Sequence, residues 1–299
     1  MVRPVAFRMN EQTAVNNYFQ EEINDENINK KAVKEFDGFV EKLKAVGVKV
    51  IVVDDKLEDN TPDSIFPNNW VSFHQNGQIA LYPMFAKNRR KERRLEYFAT
   101  LEEAGFKITD IVDYTKAEED SVFLEGTGSL LLDRVNQKAY CALSPRADED
   151  LLIEFCEDFE YSPVIFNANQ SVDGKRLPIY HTNVMMCLAE EFAVICLDTI
   201  DDKKEQKNVV KHLKEDGKEI ISITEEQMNN FAGNMLQVKG NFEKKYLVMS
   251  TRAHQSLTED QINRIEKYCE ILSSELDTIE TAGGGSARCM MAEVFLPKT

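Results

Sequence analysis

The chain is 299 residues long, 42% hydrophobic and 29% charged, with 13 Gly and 8 Pro, a composition that supports a sizeable core and excludes collagen-like and disordered classes. Its 52 acidic and 36 basic residues leave a formal net charge of −16, so nucleic acid and anionic membranes are not expected partners. No apolar run approaches the roughly 20 residues of a membrane-spanning helix, and the opening MVRPVAFRMN has no apolar secretory region, which makes the cytosol the expected compartment.

In chain order, PVAFRM (4–9) reads as a strand and 32–46 as an amphipathic helix. A β-rich run VKVIVVD (48–54) follows, then FPNNWVSFH, which Asn76-Gly77 turns into a hairpin with IALYPM. The same order returns as a helix over 91–104, FKITDIVDY (106–114), EGTGSLLLD, Asn136-Gln137 and AYCALS. It returns again as a helix over 147–160, SPVIFNAN (162–169), HTNVMMCLA, Glu190-Glu191 and FAVICLD. A fourth pass gives 200–215, KEIISIT (218–224), AGNMLQVKG, Gly240-Asn241 and KYLVMS. The fifth gives a helix over 258–274, LDTIETA (276–282) and GGGSARCMMAEVF, with no return strand of its own. Capping boxes at Thr224-x-x-Gln227 and Thr258-x-x-Gln261 mark helix starts.

Centres of the β-rich runs lie about 57 residues apart. SPRAD (144–148) and STRAH (250–254) occupy the same place in units two and four. Length alone suggests two domains of about 150 residues, but the repeat argues for one domain over 1–299. Its fold class is α/β, a five-fold pseudosymmetric propeller of strand–hairpin–helix units around a central axis. The N-terminal strand is available to complete the fifth unit and close the ring.

In such a ring the turns that begin the inner strands converge on the axis. They carry Asn68 and Asn69, Glu125, His181 and Asn183, Asn234, and Arg288 beside Cys289, which are therefore the predicted site, with Asn68, Asn69, Asn183 and Arg288 expected to bind substrate. A thiol, an imidazole and a carboxylate are the minimum set for cysteine nucleophilic catalysis. Arg288 places a cation next to the thiol, which favours thiolate, and the glycines at 283–285 allow close approach to a ligand. The other five cysteines, Cys141, Cys156, Cys187, Cys196 and Cys269, lie in apolar runs and read as core. No Cys or His spacing suggests a metal site. His74, His212 and His254 read as bystanders, the acidic run 118–120 as a loop, most of the basic cluster 87–94 as a solvated face, and Trp70 as packing beneath its turn.

The order Glu-Gly in unit two, His-Thr-Asn in unit three, Gly-Asn in unit four and Gly-Gly-Gly-x-x-Arg-Cys at the end resembles the guanidino-group-modifying enzymes, or penteins. These include arginine deiminases, dimethylarginine dimethylaminohydrolases and amidinotransferases. TPDSIFPNNW, NRRKERR and IYHTNVMM resemble a subgroup associated with citrulline utilisation. The resemblance implies that Cys289 is the nucleophile, that His181 is the general acid/base and that Glu125 orients it, with no metal or organic cofactor. It also implies that Arg146 and Arg89 bind the α-carboxylate of an amino-acid substrate, with Arg252 a pseudosymmetric alternative.

The chain departs from arginine-processing members in having Asn69 and Asn183 where they place aspartates. Neutral amides hold a guanidinium poorly but suit the C=O and NH₂ of a ureido group. The expected substrate is therefore a small ureido or guanidino amino acid, with citrulline first. Arginine deimination, dimethylarginine hydrolysis and amidino transfer are alternatives, and a non-catalytic binding scaffold is the rival of another class. A papain-like protease is disfavoured, because its local signature is absent around Cys289.

Overall fold

The structure is a computed structural model that describes residues 1–299. The chain opens with β1 (Val2–Arg3), α1 (Ile28–Ala45) and β2 (Val53–Asp54). Unit one continues as β3 (Val71–Phe73), β4 (Gln78–Leu81), α2 (Tyr97–Glu103) and β5 (Asp110–Asp113). Unit two is α3 (Gly126–Ser129), β6 (Leu130–Asp133), β7 (Lys138–Leu143), α4 (Glu149–Asp158) and β8 (Ser162–Asn167). A hairpin of β9 (Asn169–Val172) and β10 (Lys175–Pro178) leads to unit three: α5 (Thr182–Met185), β11 (Met186–Leu188), β12 (Phe192–Ile195), α6 (Lys203–Glu215) and β13 (Glu219–Ser222). Then come α7 (Glu225–Asn229), β14 (Leu236–Lys239), β15 (Lys245–Ser250), α8 (Thr251–Ser256), α9 (Glu259–Glu266), β16 (Glu270–Ser274) and α10 (Asp277–Gly283).

Four three-stranded sheets share one plan. A hairpin pairs antiparallel, and its return strand pairs parallel with the outer strand that follows the next helix, as in β6–β7–β8. All four hairpin turns fall where the turn dipeptides place them, and both capping boxes form. Each helix covers the crossover and packs its apolar stripe inward. On α1 the stripe is Ala32, Phe36, Phe39, Val40 and Leu43, packed with Phe7, Leu276 and Ile279. Full burial of each such phenylalanine or leucine stabilises by about 1.5–3 kcal/mol. No helix is long and apolar enough to cross a membrane.

The fifth unit departs from the sequence reading. LDTIETA is not a strand but lies in α10, whose buried Ile279, Ala282 and Gly283 follow the helical period with Leu276 ahead of them. The outer strand is β16, in the segment read as the end of the 258–274 helix, and that helix stops at Glu266. The closing strand is β1 rather than 4–9: Pro4 lacks the N–H needed to extend a ladder. β1 pairs parallel with β2 at only two positions, Val2 with Val53 and Arg3 with Asp54, whereas β15 and β16 pair at five. In unit one, 87–92 forms a 3₁₀ turn and the helix begins only at Tyr97.

The axial turns touch one another in sequence around the ring. The Pro67–Asn69 turn packs on α3 and α3 on α5. Asn234 Nδ2 donates to the Asn183 carbonyl at 2.9 Å, and the Arg288 N–H donates to Asn234 Oδ1 at 3.1 Å. Gly283 and Gly285 lie against the Phe66 ring, returning to unit one.

Candidate active site

Glu125 and His181 occupy equivalent places, each capping a one-turn helix, α3 or α5, that opens an inner strand. This shared geometry aims both side chains at the axis. His181 Nε2 lies 2.7 Å from Glu125 Oε2, and both side chains are almost fully buried. Glu125 Oε1 accepts the Phe85 N–H at 2.9 Å. Burial alone would raise the Glu125 carboxyl, but the Arg146 guanidinium, the His181 hydrogen bond and Arg89 hold it at about 2. Burial, helped by Arg146 and Arg89, lowers His181 to about 4 against the pull of Glu125. The pair therefore rests at neutral pH as carboxylate and neutral imidazole.

Cys289 lies between two amides. Asn234 Nδ2 is 3.2 Å from its sulfur and Asn183 Nδ2 is 3.5 Å away. Burial pushes the thiol up, while the Ser286 backbone, these amides and Arg288 pull the other way. Asn183 stands two residues after His181, so one short turn delivers the imidazole and an amide that touches the sulfur. Beneath the glycine loop, Ser286 Oγ donates to the buried Glu280 at 2.5 Å.

Arg89 and Arg146 are both buried, and both approach Glu125, at 3.9 and 3.4 Å. Arg89 is held by Glu92 at 2.9 Å and donates to Asn69 Oδ1 at 2.9 Å. A guanidinium has only donors, so Asn69 must turn its oxygen to Arg89 and its NH₂ the other way. That Nδ2 has no partner, nor has either polar atom of Asn68. A Cβ at Gly128 would sit 2.3 Å from Asn69 Nδ2 and 2.8 Å from His181 Nδ1, so the free amide and the free imidazole nitrogen face one small space. Gly128→Ala is expected to displace both anchored groups and lower kcat/KM at least about 100-fold, read by steady-state assay alongside a folding check by circular dichroism.

Two expectations need correction or reduction. The Arg288 side chain does not face the substrate space: it donates to the Met291 carbonyl at 2.8 Å and pairs with Glu293 at 3.1 Å, since successive side chains diverge along the chain. Arg252 is engaged with Glu280, Asp277 and Thr281 instead. Trp70 is buried and packs with Phe98, as read.

Sequence reasoning missed Asp63 and the segment over 10–20. Asp63 Oδ2 accepts from Asn10 Nδ2 at 2.8 Å and Thr13 Oγ1 at 3.1 Å, while Oδ1 has no partner. Burial raises its carboxyl above the ordinary value despite Arg89. The 10–20 segment covers the site: Arg146 donates to Asn16 Oδ1 and to the Thr13 carbonyl, both at 2.9 Å, and Asn17 and Gln20 donate to the carbonyls of Gly284 and Gly283. The segment is polar and without period; the only signal for Asp63 was its place in TPDSIFPNNW.

The family model described as N,N dimethylarginine dimethylhydrolase, eukaryotic, matches residues 3–296. The chain belongs to that family. Dimethylarginine dimethylhydrolases act on amidino C–N bonds, and the chain has the α/β pentein fold. It is similar to apo ArgZ, an arginine dihydrolase of the ornithine–ammonia cycle in cyanobacteria, at 18% identity and TM-score 0.73, covering 100% of this chain but 40% of that one. This family member thus spans well under half the length of that ArgZ chain. The N-terminal domain of ArgZ, in a cysteine-to-serine variant bound to substrate, matches at 18% identity and TM-score 0.70, covering 99% and 98% of the two chains. A dimethylarginine dimethylaminohydrolase variant carrying an S-methyl-L-thiocitrulline adduct matches at 13% identity and TM-score 0.61, covering 97% and 96%. No curated protein sequence matches the chain.

Acid stability follows from the buried imidazoles of this dimethylhydrolase relative. His74, stacked 4.0 Å from Phe159, is lowered by burial to about 3. Unfolded histidines take up protons below about pH 6.5, whereas folded His181 and His74 resist to about 4 and about 3. The unfolded state binds more protons in that window, so stability falls as pH falls from 6.5 to 4, by on the order of 3 kcal/mol per histidine. Glu125, depressed in the folded state, contributes stability that is lost only at still lower pH. Melting temperatures at pH 7.5 and 4.5 should differ less in His74→Phe than in the parent protein, and an equal gap refutes the assignment.

Proposed function

We propose that the protein, acting as one catalytic domain over 1–299, hydrolyses the ureido carbon of citrulline to give ornithine, ammonia and CO₂. Cys289 attacks that carbon and forms a C–S bond as its thiol proton passes to His181, and a ureido C–N bond breaks as the resulting imidazolium gives that proton to the leaving amine. Water, deprotonated by His181, then cleaves the C–S bond, and the released carbamate loses CO₂. Glu125 orients His181 and balances the imidazolium as it forms. Arg146, whose fork now rests on the Asn16 amide, takes the α-carboxylate in this reading, with Arg89 fixing Asn69 and adding positive charge. The unpartnered Oδ1 of Asp63 suits the α-ammonium.

The observation that carries the choice of substrate is the direction of the Asn69 amide. Arg89 takes its oxygen, so a donor faces the reacting end, where a ureido C=O accepts a hydrogen bond and a guanidinium is repelled. Membership of a dimethylarginine-hydrolysing family favours the competing guanidinium substrates. Ammonia release from citrulline, arginine, methylated arginines and agmatine decides between them: kcat/KM should be highest for citrulline, and a preference for arginine or a methylarginine overturns the proposal. Amidino transfer instead requires product formation that depends on an added amine acceptor.

A further inference from the structure

Behind the axial turns, on the side away from Cys289, lies a cavity of about 1040 Å³. Its floor is Pro67, Thr127, Met235 and Arg288, each within two residues of a site residue, yet Asn69, Glu125, His181 and Cys289 do not line it. The bore is apolar, walled by inner-strand side chains such as Phe73, Leu131, Leu188 and Val238. It is large enough to bury most of a drug-sized ligand. Trp70 also lines it, and its buried indole N–H has no acceptor.

Charge at the rim is arranged against the balance of a chain of net −16. The three carboxylates of the lining are already paired: Asp133 with Lys218 at 2.9 Å, Glu190 with Lys245 at 2.7 Å and Glu293 with Arg288 at 3.1 Å. Lys49, Arg134 and Lys298 also line the cavity, and no carboxylate pairs with them. Arg134 lies 4.0 Å over Phe295 and Lys298 lies 3.1 Å over Phe106. Partial loss of hydration and the neighbouring Lys49 charge hold Lys298 below its ordinary value.

We propose that this cavity is a second ligand site and takes a free long-chain monocarboxylate, its tail in the bore and its carboxylate at the rim among Lys49, Arg134 and Lys298. An apolar bore alone would accept any oily molecule; the unpaired cations at the rim select one with an anionic head.

The test is fluorescence titration of the full chain with 11-(dansylamino)undecanoate, displaced by palmitate or by hexadecanol. The expected result is saturable binding at one site per chain, with palmitate displacing the probe at least tenfold more effectively than the alcohol. The double variant R134E/K298E should weaken binding at least tenfold, and L188W/V238W, which fills the bore, should abolish it. Melting temperature and citrulline or arginine turnover serve as fold controls, because these positions lie outside the catalytic site. Absence of saturable binding, equal displacement by acid and alcohol, full binding by the bore-filled variant, or a dimer that covers the mouth and excludes the probe would each overturn the proposal.

Discussion

Cys289→Ser is expected to lower kcat by roughly 10⁴-fold or more while leaving the fold intact. Serine keeps a polar atom for the Asn183 and Asn234 amides, so no buried donor is orphaned. It removes the polarisable nucleophile, and His181, lowered to about 4, is a weak base for a hydroxyl. Rapid acid quench followed by peptide mass spectrometry should find a substrate-derived adduct on the Cys289 peptide of the parent enzyme and none in the variant. Full turnover by Cys289→Ser would end the covalent mechanism.

Asn69→Asp should lower kcat/KM for citrulline at least about 100-fold, corresponding to the loss of one hydrogen bond made in a dry site plus the repulsion of an acceptor by an acceptor. Arg89 would still take one carboxylate oxygen, as it takes the amide oxygen at 2.9 Å. The other oxygen would replace the unpartnered Nδ2 in the small space it shares with His181 Nδ1. Arginine turnover should rise relative to citrulline, since the new charge suits a cation. Both substrates are measured on the same preparation, and an unchanged ratio would show that Asn69 does not set the preference.

Local signals made most of this architecture legible. Four hairpins announced themselves through period-two apolar patterns and turn dipeptides, and Thr224 and Thr258 announced two helices, because each is decided within a few residues. Recurrence of those signals placed Glu125, His181 and Asn183 at one axis although 56 to 106 residues separate the contacting groups. The fifth unit was misread because LDTIETA mixes β-branched and apolar residues compatible with either period, and no hairpin follows to arbitrate. Arg288 was placed at the substrate because adjacency in sequence does not specify the direction of a side chain. The contacts of residues 10–20 and of Asp63 depend on pairings 50 or more residues apart, such as Asn10 with Asp63 and Asn16 with Arg146, which no local pattern records.

The strand ladder that closes the ring is short: β1 meets β2 at two positions, and the glycine loop is held there by the Phe66 ring and by single hydrogen bonds from Asn17 and Gln20. Local opening concentrates where ladder bonds are few. Fraying there would release the loop that holds the sulfur while the four complete blades stayed folded, so inactivation on heating would run ahead of loss of secondary structure, and whatever clasps the two ends of the chain together would preserve turnover more than it raised the melting point.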